Sequence, residues 1–242
     1  MARKRVADRR WRDLETRVAT LFRDLGCATE IEAEVRGVRA VHVIDVWVTI
    51  DLFGQPVRWL IECKRWKRPV TKAAVGALIA VVADVGADRG ILVSESGFYP
   101  SANAVASKTN ILLTSPDELV EGARDALRSR KYDAIDQQIL NLLDIHEAFT
   151  QTEGELPGKL TMRVRPGVEI AEFMRIFGEL SVLESGLRSA RAGRFPAIVG
   201  FDQAGERIEA AKDADDFIAR ASDFCRRAQY WINSSKSKML GS

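Results

Sequence analysis

Histidine and cysteine are scarce in this 242-residue chain, with two His, at 42 and 146, and three Cys, at 27, 63 and 225. The cysteines are odd in number, far apart and outside any C-x-x-C spacing, which argues against a disulfide framework and against a zinc site. Two histidines are a poor start for a histidine-built metal centre. No apolar run approaches the roughly 18 residues that a membrane span needs, and the opening MARKRVADRRWR lacks the apolar segment of a signal peptide, so the chain is expected in the cytoplasm and away from membranes. Neither a repeat nor a low-complexity tract interrupts it. A composition of 46% hydrophobic and 29% charged residues is that of a folded globular protein.

What is present is charge, unevenly placed. Residues 1–130 carry 21 Lys and Arg against 17 Asp and Glu, whereas residues 131–242 carry 15 against 17. The cations of the first part cluster twice: Arg3, Lys4, Arg5, Arg9, Arg10 and Arg12 at the start, then Lys64, Arg65, Lys67, Arg68 and Lys72. Such clusters suit a polyphosphate partner, although a solvated face explains charge alone at least as well.

Periodicity orders the elements. Trp11, Leu14, Val18, Leu21, Phe22 and Leu25 fall at helical spacing, predicting an amphipathic helix that Gly26 ends. Glu15 sits on the edge of its core-facing stripe. Three strands are predicted next, at about 27–36, 41–51 (VHVIDVWVTID) and 56–65, the last two joined by a turn at Phe53-Gly54. A helix capped by Thr71, a strand at 90–94, a helix near 101–109, a strand at 110–114 and a helix capped by Ser115 follow. That alternation implies a crossover onto a mixed sheet. Beyond about residue 130 the texture turns helical (132–149, 168–189 and 213–232), with a Gly/Pro-bearing connection at 153–158 and a hairpin around FPAIVGFDQAGERIEA. The final KSKMLGS is expected to fray.

The stretch 57-VRWLIECKRW-66 carries the chemistry. Strand side chains alternate, so Glu62 and Lys64 share one face of a largely apolar strand while Ile61 and Cys63 take the other. Uncompensated buried charge costs several kcal/mol, by rough estimate, so these groups are partnered or used. In the preceding strand the even positions His42, Ile44, Val46, Val48 and Ile50 make the more apolar face, and Asp45 lies on the other. With Phe53-Gly54 at the hairpin centre, Asp45 falls opposite Glu62. Two carboxylates on neighbouring strands, with a lysine one pleat further on, form an oxygen-rich site that suits Mg²⁺, which takes one or two carboxylates and keeps waters and phosphate oxygens. Such an ion polarises a scissile phosphate, Lys64 can orient water or steady phosphoryl charge, and Glu15 could hold a second ion or position a metal-bound water. The plainer alternative is an Asp45, Glu62 and Lys64 salt-bridge network. His42, on the other strand face, reads as structural, and so does Trp66, although stacking on a base or sugar is open to it. Ser94 and Ser96 could bond a phosphate or simply turn the chain.

Glu15, Ile44-Asp45-Val46, Glu62-Cys63-Lys64 with Arg65 and Pro69-Val70, and GILVSESGFYPSANAVA together resemble the Mrr-like catalytic domain of the PD-(D/E)XK nuclease superfamily, over about residues 9–120. Two features depart from many relatives: Arg39 to Ile44 replaces a Gly-rich approach to the Asp, and Glu62 stands where Gln is common. The resemblance implies a restriction endonuclease-like α/β core (helix, three-stranded meander, helix, strand) in residues 1–130; residues 131–242 carry no such resemblance, and their apolar periodicity suits a mainly helical domain. It also implies a DNA endonuclease dependent on Mg²⁺, with Mn²⁺ as a substitute. Asp45, Glu62 and the Cys63 carbonyl would hold the metal, Lys64 and Glu15 would assist, and Arg65, Lys67, Arg68 and Lys72 would meet DNA.

Restriction or anti-phage defence is the leading role, against a junction-type nuclease or a DNA-binding regulatory subunit with a vestigial core. The sequence leaves open sensing, DNA recognition or oligomerisation for 131–242, and an activating partner or second messenger. A homodimer or higher homo-oligomer is expected, because cutting two strands in one encounter calls for two sites related by a two-fold axis, against the alternative that the apolar residues only pack within the helical region. Its apolar surface would come from Ile139, Leu142, Leu143 and Ile145, then Ile170, Phe173, Met174, Phe177 and Leu180, then Phe217, Ile218 and Phe224.

Overall fold

The computed structural model describes residues 2–145, 149–156, 159–164, 168–201 and 208–240. His146 lies outside them, and so do the side chains of the N-terminal cation cluster. The chain divides into two compact units, Met1–Leu127 and Arg128–Ser242.

In the first unit, helix α1 (Ala2–Asp24) precedes strands β1 (Ala28–Arg36), β2 (Val41–Leu52) and β3 (Gln55–Lys64). Helix α2 (Lys72–Val85), strand β4 (Arg89–Ser94), helix α3 (Pro100–Ala106) and strand β5 (Ile111–Thr114) follow, and helix α4 (Pro116–Asp144) begins here. The five strands form one sheet in the order β1-β2-β3-β4-β5. The first three are antiparallel, and β4 and β5 run parallel to β3. This is the mixed sheet that a meander followed by helical crossovers requires.

Local chemistry sets the boundaries. Phe53 and Gly54 both take positive φ, 56° and 77°, the two-residue hairpin geometry whose twist matches the flanking strands. The Thr71 hydroxyl accepts the Ala74 N–H to start α2. At α4, Ser115 Oγ accepts the Glu118 N–H (3.2 Å) while Glu118 Oε2 accepts the Ser115 N–H (2.8 Å), a reciprocal cap.

Both sheet faces are covered. Leu14, Val18 and Phe22 of α1 pack with Val46, Val48, Ile61 and Cys63, and the Phe22 ring meets Trp59 edge-on at 6.0 Å. On the opposite face, Val75, Leu78 and Val82 of α2 and Ala102 and Ala106 of α3 pack with Ile44, Leu60 and Leu92. Each such aliphatic side chain contributes about 1.5–3 kcal/mol by leaving water.

One expectation needs correction here. The even positions of β2 do not share one face: Ile44 joins the α2 side, whereas Val46 and Val48 join the α1 side. β1 does the same, with Val35 on the α2 side and Ile31 on the α1 side. The exchange falls at Glu32, which has φ 52°, and at Asp45 across from it. The β1–β2 ladder keeps its register on either side, Ile31 with Val46 and Ala33 with Ile44, and skips only that position. A left-handed residue in one strand thus creases two strands at Asp45, which alternation alone does not anticipate.

The second unit holds the remainder of α4, a hairpin β6 (Thr150–Leu156) with β7 (Lys159–Val164), helix α5 (Ile170–Arg191), a hairpin β8 (Ala197–Phe201) with β9 (Ile208–Ala211), and helix α6 (Ala214–Leu240). No separate helix starts at 132: residues 127–132 contain neither Gly nor Pro, so α4 runs on from Pro116. The connection expected at 153–158 instead belongs to a pair of antiparallel strands as far as Leu156, and residues 157–158 lie outside the described residues. Residues 202–207, between β8 and β9, lie outside them too. One core joins Tyr132, Ile139, Leu142, Phe149, Phe173, Phe177, Leu180, Phe217 and Phe224.

The apolar residues invoked for a dimer are therefore largely consumed by this core, with Leu143, Ile145 and Ile218 packed against it. Of that set, Ile170 and Met174 remain outside, each 62% exposed.

Candidate active site

The β2–β3 ladder follows the predicted register, from Leu52 with Gln55 to Val46 with Ile61, and ends there. Beyond it β3 continues against β4 alone, pairing Glu62 with Leu92, Cys63 with Val93 and Lys64 with Ser94. Asp45 meets this freed end of β3 with its side chain: Oδ2 accepts the Cys63 N–H at 2.7 Å. Asp45 is 8% exposed, and its pKa is pushed up to about 6, chiefly by burial, then by the Glu62 charge, against the lowering effects of the Cys63 N–H and Lys64. Glu62 Oε1 in turn accepts from the Lys64 ammonium.

Glu15 is fully buried on α1. The Cys63 thiol is driven far up its scale by burial and then by the charges of Asp45, Glu15 and Glu62. Glu15, Asp45 and Cys63 thus gather where α1 and β2 meet β3, while Glu62 and Lys64, on the other face of β3, stand beside α2. Cys63 is held as an inert thiol there, so its contribution is confined to its main chain.

The other positions divide. Arg65 forms an ion pair with Glu95 (2.8 Å) and is partly covered, while Lys67, Arg68 and Lys72 are exposed and make no ion pair among the described residues. Ser94 is buried and bonds Ser96 and the Gly97 carbonyl, and Ser96 Oγ donates to the Arg68 carbonyl at 2.7 Å. With Val70 bridged to Phe98, these bonds tie the 95–98 loop to the 68–70 segment, so both serines turn and fasten the chain. His42 is structural, with Nε2 2.8 Å from Asp84 Oδ2.

Two carboxylates escaped the sequence reading. Asp84, buried at the end of α2, also accepts from Arg39 N and Nε and from Ala40 N, and these bonds hold its carboxyl below the usual range. Gly37 lies so near that a Cβ there would come within 2.1 Å of Asp84 Oδ2. This clamp fixes the β1–β2 connection that leads into Asp45, and its only sequence signal is a lone Asp in an apolar helix. Glu32 is exposed, and its charge adds to the upward pressure on Asp45. Its place depends on a positive φ that composition does not announce.

The donor set fits a hard divalent cation. No group of three His, Cys, Asp or Glu side chains placed to hold a metal occurs among the described residues. Two carboxylates completed by a main-chain carbonyl match the ligand demand of Mg²⁺, and a cation would offset the burial and like charge that raise the Asp45 pKa.

Residues 6–122 match the family model of the Mrr catalytic domain, described as restriction endonuclease. That segment belongs to the Mrr family of restriction endonuclease catalytic domains in the PD-(D/E)XK superfamily. No curated protein matches the chain. Among solved structures it is similar to the protein of unknown function AF1548, at 17% identity over 96% of this chain and 99% of that one, with a TM-score of 0.41. It is also similar to the MspJI restriction endonuclease in complex with a 27-mer oligonucleotide, at 17% identity over 52% of this chain and 29% of that one, with a TM-score of 0.34. No helix among the described residues is long and apolar enough to cross a membrane.

Proposed function

We propose that the chain is a Mg²⁺-dependent DNA endonuclease that hydrolyses phosphodiester bonds, acting in restriction or anti-phage defence. The observation that carries this reading is the Asp45 carboxylate, buried beside Glu62 at the crease of β2 and bonded to the Cys63 N–H, within a segment of the Mrr family. A salt-bridge network alone would neutralise its members, whereas Asp45 keeps a raised pKa despite Lys64.

Asp45, Glu62 and the Cys63 carbonyl would hold the metal. When bound, the ion supplies Lewis-acid polarisation of the scissile phosphate and offsets its charge. Lys64, released from Glu62 once that carboxylate is engaged elsewhere, orients the attacking water and steadies charge on the phosphoryl oxygens. Glu15, from beneath, sets the field around Cys63. Lys67, Arg68 and Lys72 hold the phosphate backbone, and Arg65 joins them if Glu95 releases it. Mn²⁺ can replace Mg²⁺ in such an oxygen set. Two-strand cleavage calls for a homodimer, for which Ile170 and Met174 are the remaining apolar contacts of those foreseen in the sequence.

Supercoiled plasmid, methylated plasmid and a four-way junction, each with Mg²⁺ or EDTA, form the test. Cleavage with Mg²⁺ alone is expected. Cutting confined to the junction would select the structure-selective alternative, and binding without cutting would select a regulatory subunit.

A further inference from the structure

A pocket of about 320 Å³ opens beside the proposed catalytic groups, and Glu62 and Lys64 line one side of it. The rest of its wall is of another character. Ala74, Ala77, Leu78 and Val81 of α2 form an apolar flank, Ile44 continues it on β2, and Trp66 stands at the mouth, 46% exposed. His42, fixed by Asp84, makes the remaining edge rigid. A phosphate has no partner on that apolar flank, so the space is unsuited to backbone. It suits a flat, uncharged group joined to the phosphate at Lys64.

We infer that this pocket receives one unpaired nucleobase of the strand being cut, stacked on Trp66; the inference rests on the nuclease reading and adds the substrate class. Three observations support that occupant. The pocket is continuous with the proposed catalytic groups. The Lys64 ammonium lies 5.5 Å from the Trp66 ring centroid, so a phosphate at Lys64 brings the base of the same nucleotide within reach of the ring. The volume is at the small end for ligand sites, which run from about 300 Å³, and accommodates one nucleoside rather than two. A base in a regular duplex is stacked and paired, so only one already unpaired, or extruded at a cost, can enter. Sequence alone reads Trp66 as packing, with stacking open to it; its exposure and the pocket behind it favour stacking.

The test uses the full chain and two duplexes of equal length and charge, with a single 2-aminopurine either paired or opposite an abasic site, in EDTA so that nothing is cut. Binding about ten-fold tighter to the unpaired duplex is expected, with quenched 2-aminopurine emission, from the known worth of base–aromatic stacking. Trp66→Ala should reduce the advantage to about two-fold or less, and Trp66→Phe should keep most of it. Ala77→Leu narrows the pocket from an exposed α2 position and should also remove the advantage while leaving Trp66 in place. Equal affinity for the two duplexes, or an advantage untouched by both Trp66→Ala and Ala77→Leu, overturns the inference. Plasmid cleavage with Mg²⁺, run alongside, separates the two readings. Cleavage without the unpaired-base advantage sinks this inference alone, the advantage without cleavage sinks the nuclease reading and leaves a base pocket with no strand being cut, and loss of both sinks both.

Discussion

The two units use their interiors differently. The second places a single cluster rich in aromatic rings at its centre, and the carboxylate it buries there, Glu179, is answered by Arg175 at 2.8 Å. The first divides its core between two sheet faces and also buries Glu15, Asp45 and Asp84. Of these, Asp84 is saturated by donors and helps the fold, whereas Asp45 is left resisting its own charge. Buried charge is destabilising unless compensated, so a position that keeps it uncompensated is held for another purpose. The first unit gives up stability at Asp45, whereas Glu179, the buried carboxylate among the described residues of the second, has its partner.

The largest effect should come from removing that point. Asp45→Ala or Lys64→Ala is expected to lower Mg²⁺-dependent plasmid cleavage by about a thousand-fold or more, while circular dichroism and DNA affinity change little. Glu15→Gln should cost less, about ten- to a hundred-fold, since it acts around Cys63 from beneath. Wild-type rates in either alanine variant would return the cluster to the ordinary ion-pair class represented by Glu179 and Arg175.

The second effect is on stability. Asp45 has a folded pKa of about 6 against an ordinary value of 3.8. Between those values the folded chain holds a proton that the unfolded chain has released, so stability falls as pH rises through this window and stays lowered above it. Asp45→Asn keeps an acceptor for the Cys63 N–H and removes the charge. In EDTA near pH 7.5 it should be more stable than the parent by about 1–3 kcal/mol, and near pH 4 the gain should vanish. Mg²⁺ should raise the melting temperature of the parent and leave the variant unmoved. A variant less stable than the parent at pH 7.5 would show that Asp45 is compensated after all.

The same contrast explains what could be read in advance. The elements of the first unit were legible because Gly26, Phe53-Gly54, Thr71 and Ser115 punctuate them, and the hairpin register follows from the turn. What was not legible is the crease, because it arises from φ at Glu32, and Asp84, because its partners Arg39, Ala40 and His42 are distant in sequence. In the second unit the signal failed at continuity. Pro157-Gly158 suggested a loose connection where two strands pair, and a supposed break near 130 lies inside a helix whose sequence gives it no reason to stop. Amphipathic faces there announced burial without saying whether the burial lay within one chain or between two.

That ambiguity sets the last and smallest expected effect. Ile170 and Met174 lie one turn apart on α5, each 62% exposed, while their neighbours Phe173 and Phe177 are buried in the unit's own core. Replacing both with Glu removes little of that core, so the melting temperature should stay within a degree or two, as surface substitutions usually allow. If these side chains join two copies, light scattering on the full chain gives a dimer and on the double variant a monomer. The rate of nicking per site is then unchanged, but linear plasmid no longer forms in one encounter, because each strand must be cut by a separate arrival. A parent chain that scatters as a monomer, yet linearises plasmid directly, would break the link between two-strand cleavage and self-association, and would leave Ile170 and Met174 as ordinary exposed side chains.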